Sequence, residues 1–158
     1  MFHRDDAVSY ARCGPIWVMV MTAPPTTDGM LHSRPTLAAM KERHPAGFAT
    51  MTYVLPSAGF KMEADARQAA ADATKAYAES IRIIANVVEG SGFAAATARA
   101  VLSGLHLLTR LQTPERVFAS GDEALEWIAR VGPLEIADPA ALGAELRQLR
   151  LELGGPIA

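Results

Sequence analysis

The stretch Ile81–Arg110, IRIIANVVEGSGFAAATARAVLSGLHLLTR, constrains this chain more than any other. Ile81–Val88 is an apolar, β-branched run, which predicts a strand covered on both faces. Glu89–Phe93, with glycines on either side of Ser91, reads as a tight turn. Ala94, Ala98, Val101, Leu102, Leu105 and Leu108 then recur at three and four residues, the spacing of a core-facing helix. Gly104 inside that helix costs about 1 kcal/mol relative to alanine, which points to close packing of another backbone. A buried strand turned directly into an apolar helix is half of a βαβ unit, and such units build parallel sheets.

The flanking segments supply further units. Met1–Asp6 is polar and expected to fray, and Ala7–Arg12 alternates as a half-buried edge strand, with Val8 and Tyr10 on one side and Ser9 on the other. Cys13, Gly14 and Pro15 make a turn into Ile16–Met21, a continuous apolar run, so these two strands form an antiparallel hairpin. Ala23–Gly29 is a loop; Thr27/Asp28 or Ser33 could cap the next helix, and Pro35 favours the later start. Leu37, Met40 and His44 share its face, and Pro45 and Gly47 close it. Gly47–Leu55 is a third strand, Met62–Ser80 a helix with an alanine stripe, Glu115–Ala119 a fifth strand, and Ser120 the cap of a helix over Asp122–Arg130. Asp138 before Pro139 starts a last helix, along which Leu142, Leu146, Leu149 and Leu153 form one stripe. The sum is an α/β chain, ββαβαβαβα with one appended helix, and a mostly parallel sheet with an antiparallel edge strand. Residues 1–132 are expected to form the α/β domain and 133–158 a C-terminal helical extension packed on it or on a partner.

The 158 residues suffice for one domain with a full core. Fifteen basic against 17 acidic residues, with no basic cluster, disfavours a nucleic-acid partner. Cys13 is the one cysteine, so an internal disulfide and a thiolate metal cluster are excluded, and a reducing compartment fits. No apolar run reaches the roughly 20 residues of a membrane span, and no secretion signal opens the chain, so a cytoplasmic, not membrane-spanning protein is expected.

The order of elements is similar to the STAS domains of anti-anti-sigma factors and the related CRAL-TRIO lipid-binding proteins. More narrowly, VVEGSGFAAATARAVLSGLHLL (Val87–Leu108) and ERVFASGDEALEWI (Glu115–Ile128) resemble a group of STAS-like proteins of myxobacteria and other bacteria, which brings no activity with it. In STAS regulators the resemblance implies a phosphorylatable serine within D-S-S-G after the third strand. The matching loop here, VLPSAGFKMEADA, has Ser57 and Gly59 but neither the preceding acid nor the second serine, which counts against phospho-switching.

Candidate chemistry collects where parallel strands end. Gly90, Ser91 and Gly92 could present amides to an anion at a helix start, but the dinucleotide, P-loop and nucleophile-elbow patterns all fail. Ser57 and Lys61 lie in the loop after the third strand, and with Arg99 could converge on an anionic ligand; a solvated loop is the plainer reading. Glu89 ends a buried strand, where desolvation could raise its pKa and let it act with Ser91 as a catalytic group; a strand-end carboxylate in water is the plainer reading. His3, His32, His44 and His106 are scattered, with no metal-ligand spacing, so no metal and no cofactor is expected.

No catalytic set assembles from these residues. The leading expectation is a non-enzymatic STAS-like regulatory or protein-interaction module that uses Ser57, Lys61, Glu89, Gly90, Ser91, Gly92, Phe93 and Arg99 to meet a protein partner. The alternative is a small-ligand or lipid-binding protein with a pocket at the same sheet edge, walled by the helix from Phe93. The leucine stripe of the last helix could cover the domain's own sheet or pair with a second copy.

Overall fold

The computed structural model describes residues 2–59, 62–109 and 112–155, with the backbone alone for 101–109. Lys61 and the side chains of Val101, Leu102, Leu105, His106 and Leu108 therefore lie outside the described residues. Six strands form one sheet in the order β1-β2-β3-β4-β5-β6, numbered along the chain: His3–Arg4, Val8–Cys13, Ile16–Met21, Phe48–Val54, Ile81–Val88 and Glu115–Phe118. β1, β2 and β3 pair antiparallel, and β3 to β6 pair parallel, so the α/β class with an antiparallel edge is the one adopted. The helices are α1 (Thr27–Leu31), α2 (Ser33–Arg43), α3 (Ala64–Ala76), α4 (Gly92–Thr109), α5 (Gly121–Val131) and α6 (Pro139–Gly154), with a 3-10 turn at Pro56–Ala58.

The consecutive strand order decides where the helices go. Each crossover from β3 to β6 steps the same way across the sheet, so a common right-handed sense puts α1, α2, α3 and α4 on one face. Met30, Leu37, Met40, Ala66, Ala73 and Ala98 meet Trp17, Met21, Ile84 and Val88 there. The other face would stand bare without the last two helices. Leu125, Ile128, Leu142, Leu146 and Leu153 cover it, against Ile16, Val18, Met51, Ile83 and Val87.

α5 and α6 run in opposite directions over this second face. A Cβ at Gly121 would press on Tyr53 at the carboxyl end of β4, whereas one at Gly132 would reach Ile83 near the start of β5. α6 begins beside the β2–β3 turn, where the Cys13 thiol lies 3.8 Å from the Leu142 carbonyl. It ends at the opposite edge, where a Cβ at Gly154 would stand 2.8 Å from Leu55. The leucine stripe is thus spent on the chain's own core: Leu142, Leu146 and Leu153 are buried and Leu149 is packed against them. This removes the basis for a dimer through Leu142, Leu146, Leu149 and Leu153.

Several local expectations are corrected. His3–Arg4 is a paired strand rather than a frayed end, held by the Asp5 carboxylate, which accepts from the amides of Ala7 and Val8. β2 is therefore flanked on both sides, and Ser9 is buried. Neither Thr27/Asp28 nor Ser33 is a cap: Thr26 caps α1 by accepting from the Gly29 amide, so helix begins inside the expected Ala23–Gly29 loop, and α2 follows from His32, which makes no side-chain cap bond, with Pro35 in its first turn. In α4 the buried alanines are Ala95 and Ala98, while Ala94 faces out. Ser120 and Asp138 cap α5 and α6 as their positions imply, accepting from the amides of Glu123 and Ala141.

Candidate functional site

The carboxyl ends of β4, β5 and β6 bring the candidate residues to one edge. Beyond β4 the chain turns through Pro56–Ala58; beyond β5 it passes Glu89, Gly90 and Ser91 into α4. Gly90 and Gly92 have φ of 109° and 85°, a left-handed backbone that glycine alone adopts freely, so this turn can be made in so few residues. The two loops touch: a Cβ at Gly90 would lie 3.2 Å from Pro56 and 3.7 Å from the Ala95 methyl. Ser57, Gly90, Ser91, Gly92 and Phe93 are exposed on this edge, and Phe93 stands 88% exposed at the start of α4.

Arg99 and Glu89 turn inward instead. Arg99 donates from Nη1 to the Val88 carbonyl at 3.0 Å, so it braces the strand end rather than waiting for an anion with Ser57. Glu89 is held by Arg150 of α6: Nε donates to Oε1 at 2.6 Å and Nη2 to Oε2 at 2.5 Å. Nη1 of the same guanidinium donates to the Gly155 carbonyl at 2.8 Å. The Arg150 side chain is 5% exposed and that of Glu89 13%. A carboxylate with both oxygens gripped by a fork of charged donors suits a structural tie. Tyr53 lies beside this pair; burial raises its phenol pKa, and the Glu89 and Asp122 carboxylates add to the rise, so the hydroxyl stays protonated.

Arg150 is the residue that reading the sequence missed. It falls four residues after Leu146 and three before Leu153, inside the apolar stripe of α6. A charge in a core-facing stripe signals a buried partner, although nothing local names Glu89, 61 residues earlier.

Beneath the glycine turn, Val88 and Ala58 are fully buried. Two open depressions lie elsewhere. One, of about 250 Å3, is lined by Pro15, Ile136, Asp138 and Glu145 near the start of α6; the other, about 630 Å3, runs between α5 and α6. Among the described residues no group of three or more His, Cys, Asp or Glu side chains could hold a metal ion, and no helix is long and apolar enough to cross a membrane. The chain matches no protein-family model, no curated protein and no solved structure.

Proposed function

We propose that this chain is a non-enzymatic, STAS-like regulatory module that binds a protein partner through the Ser57 loop and the Gly90–Phe93 turn. The observation that carries this reading is Phe93, a large aromatic ring 88% exposed at the start of α4. Aromatic side chains are enriched at the centres of protein interfaces, and a ring left in water at a structured edge gains most from being covered. The chemistry around it agrees, because the carboxylate nearest the turn is tied up by Arg150. The mixed sheet followed by paired helices supports the STAS-like kinship, and the exposed Phe93 ring favours a partner surface over a ligand pocket.

Affinity capture with wild-type chain, Phe93→Ala, Ser57→Asp and the remote control Glu126→Ala tests it. A specific partner retained by wild type and Glu126→Ala but lost from Phe93→Ala supports the proposal. A partner indifferent to Phe93 and Ser57 refutes this surface. Native mass spectrometry of the same preparations separates the ligand alternative, which requires a mass above that of the bare chain.

A further inference from the structure

Glu89 touches both faces of the sheet. It leads β5 into the Gly90–Gly92 turn and hence into α4 on the crossover face, while its carboxylate is gripped by α6 on the other. We infer that the Glu89–Arg150 pair is a latch joining the α4 entry turn to the end of α6, so that a partner displacing the turn releases the last turn of α6. This rests on reading the Phe93 edge as the partner surface.

Three features make the pair a latch rather than a general brace. First, an apolar residue at 150 would continue the leucine stripe and avoid the desolvation of two charges, so stability alone does not call for an arginine there. Second, the same guanidinium shapes the end of α6, binding the Gly155 carbonyl where the backbone turns to φ 73°. Losing Glu89 would loosen the anchor around which that end is built. Third, the turn on the far side is built on two left-handed glycines, and among the described residues a Cβ at Gly92 would meet nothing within 4 Å and one at Gly90 only Pro56 and Ala95. A bidentate contact is either aligned or broken, which gives two discrete arrangements in place of a gradual shift.

Amide hydrogen exchange on the full chain tests the latch, using wild type, Arg150→Lys, Glu89→Gln and Leu149→Ala. Lysine keeps the charge but cannot match both carboxylate oxygens. Arg150→Lys should speed exchange by about tenfold or more at the Glu89 amide, which is bonded to Val54, and at 96–100 of α4, as well as at 151–155. Glu89→Gln should do the same at 151–155. Leu149→Ala should loosen α6 while leaving 89 and 96–100 within about twofold of wild type. The latch is overturned if each change is felt only on its own side, or if Leu149→Ala reaches the turn as strongly, because packing would then carry the coupling. Should Glu89→Gln fail to fold, Arg150→Lys decides by the same segments. Coupled exchange together with a partner indifferent to Phe93 would keep the latch and discard the partner surface.

Discussion

Replacing Arg150 with methionine leaves the Glu89 carboxylate in place without its paired guanidinium. Two hydrogen bonds to Glu89 and one to Gly155 disappear, and the remaining charge sits in a site 13% exposed. Breaking a buried ion pair from one side costs about 3–5 kcal/mol, mostly the stranded charge. Against a domain stability of roughly 5–15 kcal/mol this is a large fraction, and it corresponds to a fall in Tm of about 6–20 °C for a chain of this size. The same helix supplies the control. Arg147 pairs with Asp122 at 2.7 Å, but the two side chains are 57% and 65% exposed, so Arg147→Met should cost only about 0.2–1 kcal/mol. The double change Arg150→Met with Glu89→Leu removes both charges and should recover most of the loss. Urea melts at low and high salt are the assay, since salt screens the exposed pair and barely touches the buried one. If Arg150→Met costs no more than Arg147→Met, or the double variant is as unstable as the two single losses added, the buried-pair reasoning is wrong.

Four further outcomes are expected. Burial pushes the Cys13 thiol up to about 12, helped by Glu145, so its thiolate is scarce; iodoacetamide should label it on the order of a thousandfold more slowly in native buffer than in urea, and comparable rates would mean that β2 opens freely. Gly121→Ala would drive a methyl onto the buried Tyr53 ring, 3.0 Å from its carbons, and should cost about 1–3 kcal/mol in a thermal melt despite alanine's better helix propensity; unchanged stability would show that Tyr53 can retreat. Burial lowers the His44 pKa, with Arg12 adding to it, and its Nε2 is buried without a hydrogen-bond partner among the described residues. The unfolded chain then takes up the proton first, so wild type should lose stability as pH falls below about 6.5, and His44→Gln should flatten that slope. Asp5 acts at lower pH: burial opposes its charge, but the Val8 and Ala7 amides prevail and hold its carboxyl below the usual value. Its contribution is present above about pH 4 and lost as pH falls through the lowered value, which melts at pH 5 and pH 3 would detect.

What could be read from the sequence is what local physics decides. Ile81–Val88 is a strand because its run of apolar, β-branched residues is buried on both faces, and Ser120 and Asp138 start helices because their side chains cap amides three residues on. The His3–Arg4 strand was hidden because two residues carry no periodicity; a carboxylate on neighbouring amides positions it. Ala94 and Ala95 both fit a three-and-four spacing, and only the entry angle set by Gly90 and Gly92 turns Ala95 to the sheet. That the Ser57 loop and the glycine turn share an edge is legible, since parallel strands end on one side of the sheet. The role of Glu89 was not legible, because it depends on a helix that crosses the whole sheet before Arg150 reaches it.

The most direct measurement is site-specific photo-crosslinking in the cell that produces the chain, with the reactive side chain placed in turn at 93, 57 and 126. Phe93 lies on the proposed partner surface, and Glu126 is exposed on α5 over the opposite face. The expected result is one discrete heterologous protein adduct from 93, weaker from 57 and absent from 126. The same adduct pattern from all three positions, or none from 93 while 126 captures a protein, would contradict the account.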